Sequence, residues 1–181
     1  MPVAPVPLQV GEYIVRKYEK SDAQALVDAV TDSYKHLEPW MPWIKFEPQS
    51  VAQREELIKT WNEAWENRTE FVMGIFHGVQ VVGGTGLHLR GSVNTVEIGY
   101  WIHVDYIGKG IATQVAGALT ELAFAMWPEI NTVEIVHDEA NVASGKVPHR
   151  VGFRHVFTGK RRPEAPGESG VLYRWEKKRT N

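Results

Sequence analysis

The sequence predicts an α+β fold: one mixed, mostly antiparallel sheet with helices packed on both faces. Three observations carry that prediction. Several segments alternate apolar and polar residues with period two, others place apolar residues at helical spacing behind capping boxes, and their order is β, α, α, three strands, α, β, α, β, β. The chain has 181 residues, 43% hydrophobic and 23% charged, with seven Trp. That is enough to bury a core as a single domain, read here as residues 11–181 behind a proline-rich tail over 1–10.

Each element follows from local pattern. Glu12 to Tyr18 alternates as a strand, and Ser21 with Gln24 reads as a capping box opening a helix to about Tyr34. Ser50 with Gln53 opens a second helix, whose Leu57, Ile58, Trp61 and Trp65 fall on one face. Between the helices, His36 to Trp43 is too proline-rich for a helix and too aromatic for an ordinary solvated loop. Phe71–Phe76 and Val79–Leu89 read as strands joined at His77-Gly78, and a turn at Gly91-Ser92 precedes a strand from Thr95 to Val104. Ile111 begins a helix to about Trp127, stopped by Pro128. Thr132–His137 is a β-branched strand, Asn141 caps a short helix to Arg150, and Gly152 ends it. Phe153–Thr158 and Val171–Glu176 close the chain as two strands.

Composition excludes several function classes. A net charge of -2 argues against a nucleic-acid-coating protein. With no cysteine there is no disulfide scaffold, no Cys-ligated zinc and no cysteine nucleophile, and the seven histidines show no metal-ligand spacing. The first residues lack the basic region and apolar run of a secretion signal, and no stretch approaches the roughly 20 apolar residues of a membrane span. These features are those expected of a cytoplasmic protein with no metal and no membrane partner.

The most informative run is Glu97 to Thr113, an apolar strand that empties into a glycine loop opening a helix. Gly108 and Gly110 let backbone approach a ligand closely, and the first amides of a helix beginning at Ile111 have no intrahelical partner, so phosphate is the natural guest. A Rossmann motif would need a third glycine where Thr113 stands, and a P-loop would need Gly-Lys-Ser/Thr. Gly110-Ile111-Ala112, then Asn141 and Ser144, then Gly152-Phe153, resemble the acetyl-CoA-binding core of the GNAT N-acetyltransferases. Within that family the chain is most similar to the RimJ/RimL-like branch that acetylates N-terminal amines of ribosomal proteins.

The resemblance implies a GNAT fold with acetyl-CoA as co-substrate. It places pyrophosphate contacts on Ile107, Gly108, Gly110, Ile111, Ala112 and Thr113, with Lys109 as an accessory charge, and Ile107 stands where the family pattern has Gln or Arg. It pairs the backbone of Ile102, His103 and Val104 with the pantetheine arm, gives the carbonyl oxygen an N–H near Ile102 or His103, and puts further CoA contacts on Asn141 and Ser144. Asn141 also suits a helix cap.

Acetyl transfer to an amine needs a base, a polarised carbonyl and help for the leaving thiolate. Glu97, an acid within an apolar strand, is the candidate base, or else a strand-edge glutamate paired with Arg90. Many relatives have a Tyr as acid where this chain has Pro148; the resemblance to the ribosomal-protein branch implies Ser144 in that role, and the alternative is that CoA leaves as the thiolate with water's help. Trp40 and Trp43 are candidate acceptor walls, or a satellite core, and His88 on the neighbouring strand is a candidate for the acceptor side, or else a satisfied polar residue. Glu38, Glu47 and Glu97 are the acids that could draw a cationic acceptor. An α-amine, with a pKa near 8 against about 10 for lysine, asks less of the base. The acceptor is thus read as a protein N-terminus. The alternatives are a small amine (aminoglycoside, polyamine or amino acid) and a catalytically idle CoA-binding module. The Trp-rich edges and the last strand are surfaces that a homodimer could use.

Overall fold

The computed structural model describes residues 4–90 and 92–180. In chain order its elements are β1 (Leu8–Val10), β2 (Tyr13–Lys17), α1 (Ala23–Leu37), α2 (Val51–Glu66), β3 (Glu70–His77), β4 (Gln80–His88), β5 (Thr95–Ile102), α3 (Ile111–Met126), β6 (Thr132–Asp138), α4 (Val142–Val151), β7 (Arg154–Lys160) and β8 (Val171–Lys178). The strands form one eight-stranded sheet in the order β1-β2-β3-β4-β5-β6-β8-β7. All neighbours are antiparallel except β5 and β6, an arrangement unlike the parallel sheet of a Rossmann domain.

Alternation along the strands divides the core into two. On β5, Val96 and Ile98 turn to one face, where they meet Ile111, Val115 and Leu119 of α3 and Val147 of α4. Trp101 turns to the other face, against Leu26 and Val30 of α1 and Ile58 of α2. The period-two and period-3.6 patterns therefore converge on helices packed on both sides.

The second capping box forms as expected: Ser50 Oγ accepts from the Gln53 amide at 3.2 Å, and Gln53 Oε1 from the Ser50 amide at 2.8 Å. The first forms elsewhere. Glu19 and Asp22 make the box across a 3-10 turn, and α1 runs on to Leu37 rather than stopping at Tyr34. Arg16 decides this by gripping both carboxylate oxygens of Asp22, six residues on, at 2.8 and 3.0 Å, which outcompetes the Ser21 signal. Leu8–Val10, within the stretch read as a tail, pairs with β2 instead. The strand expected to reach Val104 ends at Ile102, because His103 Nδ1 accepts from the Asp105 amide at 3.1 Å and starts a 3-10 turn over Val104–Tyr106.

Candidate active site

The site is built where β5 and β6 part. Their parallel pairing covers only Thr95–Thr132 through Glu97–Glu134, yet both strands continue, so a wedge opens between Ile98–Ile102 and Ile135–Asp138. In an antiparallel ladder, alternate residues direct their backbone groups to opposite sides. His103 donates its N–H to Val82 O at 2.9 Å, which sets the phase of the β4–β5 ladder. The amides of Ile98, Tyr100 and Ile102 therefore turn toward β6; Ile98 spends its N–H in the last rung of the β5–β6 ladder, and the amides of Tyr100 and Ile102 face the wedge. Those of His103 and Val104 do not, since Val104 donates to Ser33 Oγ at 3.0 Å.

Helix α3 begins beside the wedge's open end. Gly110 is its N-cap with φ 75°, and Gly108 has φ 76°, a region that glycine enters without strain. Among the described residues no side chain caps this helix, so the first-turn amides of Ile111, Ala112 and Thr113 are open to an anion. A β-carbon on Gly108 would touch nothing, so the loop also leaves space beside those amides. Ile107 is exposed, and Lys109 Nζ stacks 4.2 Å above the Tyr106 ring. Across the wedge, Asn141 Oδ1 caps α4 by accepting from the Ser144 amide at 3.1 Å. Tyr100 reaches over from β5, its hydroxyl 3.0 Å from Ser144 O and 3.2 Å from Ser144 Oγ.

A cavity of about 640 Å³ leads from Tyr100, Asn141 and Ser144 to Trp40 and Trp43, with Glu97 and His88 on its wall. Two loops meet over it: Gly167 of the β7–β8 loop donates its N–H to Pro39 O at 2.9 Å. The glutamates along the cavity face arginines. Glu97 lies 3.3 Å from Arg90 Nη1, and Arg90 Nη2 faces Glu70 at 3.9 Å; Glu47 pairs with the buried Arg54, and Glu168 with Arg161. Burial lowers the His88 pKa, with Glu70 at 3.5 Å opposing it. Beyond Glu97, burial raises the Glu134 carboxyl, and the Glu97 and Glu176 charges add to that. Burial pushes the Tyr100 phenol up to about 12.

An open helix N-terminus, a wedge of free strand amides and an adjoining cavity open to solvent fit a long nucleotide thioester with an acceptor at its far end. Comparison with known proteins agrees. Residues 13–154 match the family model described as "Acetyltransferase (GNAT) domain". The chain belongs to the GNAT acetyltransferase family. It is 31% identical over 147 residues to "Putative ribosomal N-acetyltransferase YdaF" of Bacillus subtilis (strain 168), covering 80% of each chain. Among solved structures, one described as "Probable acetyltransferase" superimposes with a TM-score of 0.86 at 27% identity, over 96% of this chain and 97% of the other. RimL, described as a ribosomal L7/L12 alpha-N-protein acetyltransferase in complex with coenzyme A, shares the fold with a TM-score of 0.85 at 19% identity, over 96% and 98%.

The GNAT acetyltransferase thus takes acetyl-CoA as co-substrate. The structure brings Trp40, Trp43, His88, Glu97, Asn141 and Ser144 to one cavity, while Ile107–Thr113 lie outside it at the start of α3. Trp43 packs on the second core and also lines the cavity, its ring 6.1 Å from Trp101. Of the three acids considered for a cationic acceptor, Glu47 and Glu97 line the cavity and Glu38 does not.

Sequence reading overlooked Tyr100, Arg54 and the Pro39–Gly167 contact. Tyr100 carried a usable signal, a phenol on the inward face of the strand entering the glycine loop. The loop contact joins residues far apart in sequence, and nothing local announces it.

Proposed function

We propose that this acetyltransferase modifies the N-terminal α-amine of a ribosomal or other protein, in the cytoplasm, through a ternary complex with acetyl-CoA. The observation that carries the reading is the charge state of the acceptor cavity. Three arginines face its four glutamates, Arg90 serving both Glu70 and Glu97, so no row of free carboxylates awaits a polycation such as an aminoglycoside or polyamine. An α-amine needs none. With a pKa near 8, about a tenth of it is neutral at pH 7, against well under a thousandth of a lysine side chain. The name borne by YdaF points to the same acceptor class.

Bound acetyl-CoA supplies an activated acetyl thioester. The amides of Gly110 to Thr113 hold its pyrophosphate, and the wedge amides of Tyr100 and Ile102 hold its arm and polarise the carbonyl oxygen. Lys109 adds long-range attraction only. Glu97, displaced from Arg90 or acting through water, receives the proton lost by the amine, and His88 beside it in register shapes the amine's surroundings. Ser144 donates its hydroxyl hydrogen bond to the departing sulfur. Trp40 and Trp43 wall the acceptor.

The test offers the enzyme acetyl-CoA with peptides that have a free N-terminus and an internal lysine, the same peptides N-terminally blocked, spermidine and kanamycin. Thiol release is followed, and the acetylated nitrogen is found by mass spectrometry. Turnover confined to free N-termini is expected. Turnover of spermidine or kanamycin with inert peptides would overturn the reading. Glu97→Gln is expected to lower kcat about 10²-fold or more with CoA affinity unchanged; an unaltered pH–rate profile would remove Glu97 from the mechanism.

A further inference from the structure

Helix α4 carries no tyrosine, and Pro148 within it is buried and has no hydrogen to donate. The structure supplies a phenol from the opposite side of the wedge. We infer that Tyr100 is a positioning residue that sets the direction in which Ser144 presents its hydroxyl proton.

The phenol has one proton and two acceptors, Ser144 O at 3.0 Å and Ser144 Oγ at 3.2 Å. When the proton goes to the carbonyl oxygen, Ser144 Oγ–H points back at the phenol oxygen and is lost to the cavity. When it goes to Oγ, that lone pair is filled, and Ser144 Oγ–H turns into the cavity where the sulfur departs. A serine hydroxyl otherwise rotates freely, and Tyr100 reduces it to these two states. Tyr100 and Ser144 both line the cavity at the wedge end. Because burial raises its pKa, the phenol keeps its proton through the neutral range. No bond forms or breaks at Tyr100, and its proton stays on it. The inference rests on Ser144 acting toward the sulfur.

The experiment compares Tyr100→Phe, Ser144→Ala and the double variant, recording kcat, KM for acetyl-CoA, CoA affinity by titration and the thermal midpoint. Tyr100→Phe is expected to lower kcat about tenfold, the scale of one oriented hydrogen bond. CoA affinity and KM should stay within twofold, and the double variant should be no slower than Ser144→Ala alone. Multiplying effects in the double variant, or loss of CoA affinity in Tyr100→Phe, would make Tyr100 a structural residue and overturn the inference. If Ser144→Ala keeps full kcat, the Ser144 reading itself fails; if Ser144→Ala is slow and Tyr100→Phe is not, only the Tyr100 inference fails. A second variant, 3,5-difluorotyrosine at position 100, keeps the hydroxyl but ionises at lower pH, followed directly by phenolate absorbance. It should bring a new alkaline limb into the kcat profile at that same pH, and a kcat unmoved as the phenol ionises would overturn the inference.

Discussion

Gly145 lets helix α4 lie directly on the ring of His137. A β-carbon at position 145 would stand 2.8 Å from His137 Cε1 and 3.0 Å from Nε2. The ring is held from both ends: Nε2 accepts from Trp175 Nε1 at 3.0 Å, and Nδ1 lies 2.7 Å from Asp138 O. An indole N–H can only donate, so Nε2 is the bare nitrogen and Nδ1 carries the proton to the carbonyl. A neutral, doubly bonded imidazole on β6 thereby sets the depth of α4, which carries Ser144 and begins at the Asn141 cap.

Gly145→Ala should therefore damage the site as well as the fold. Overpacking against a fixed ring costs about 1–3 kcal/mol, or roughly 3–10 °C in the midpoint for a domain of this size. Weaker CoA binding should accompany it, measured by titration. An unchanged midpoint and affinity would show that α4 moves off the ring at no cost.

Gly108 and Gly110 should separate binding from folding. Both have positive φ, and the space around a β-carbon at 108 is empty, so alanine there costs about 1–2 kcal/mol of backbone strain without a clash inside the protein. Bound pyrophosphate would fill that space. Gly108→Ala and Gly110→Ala are expected to weaken acetyl-CoA binding by at least tenfold beyond what the midpoint shift explains. Equal affinity in both variants would place the pyrophosphate elsewhere.

Acid should destabilise the enzyme in two stages. Burial holds His36, His88 and His137 below 6.5, so between their folded values and about 6.5 the unfolded chain binds more protons, and stability rises with pH. Cooling of the midpoint should thus begin as pH falls through 6.5. His88→Gln and His137→Gln should flatten that slope, and a midpoint flat from pH 7 to 5 would contradict the assignment. The second stage belongs to carboxylates. Burial opposes ionisation of Asp138, but hydrogen bonds from Ser169, Ala140 and Gly170 outweigh it and hold the carboxyl below 3.8. Its contribution is present above 3.8 and lost as pH falls through the lower folded value.

Asp138→Asn tests the cavity roof. Asp138 Oδ1 accepts from the amides of Ala140 and Ser169 and from Ser169 Oγ, at 2.9 to 3.0 Å, and Oδ2 accepts from the Gly170 amide at 2.9 Å. An amide nitrogen in place of Oδ2 would face the Gly170 N–H donor to donor. A loss of about 1.5–3 kcal/mol in denaturant unfolding is expected, together with faster proteolysis in the 161–170 loop. Unchanged cleavage of that loop would show that Asp138 does not hold it.

Most elements were legible because their signals are local. The Ser50–Gln53 box, Asn141 before α4, Gly152 after it and the glycines before α3 each act within a few residues. The start of α1 was misread because Arg16, reaching back from β2, made Asp22 the capping partner. Leu8–Val10 was missed because a three-residue strand has no period to detect, and only its partner strand stabilises it.

The sequence by itself determined the order of elements from β2 onward, the two-faced core and the glycine loop that opens α3, since apolar period, capping and glycine freedom are properties of neighbouring residues. Tertiary structure alone decided which residues share the cavity. The β5–β6 divergence, the arginines facing Glu47, Glu70, Glu97 and Glu168, the Tyr100 contact with Ser144 and the Pro39–Gly167 closure all join groups brought together only by packing. Charge and hydrogen-bond energies depend on distance through space, and separation along the chain does not report it.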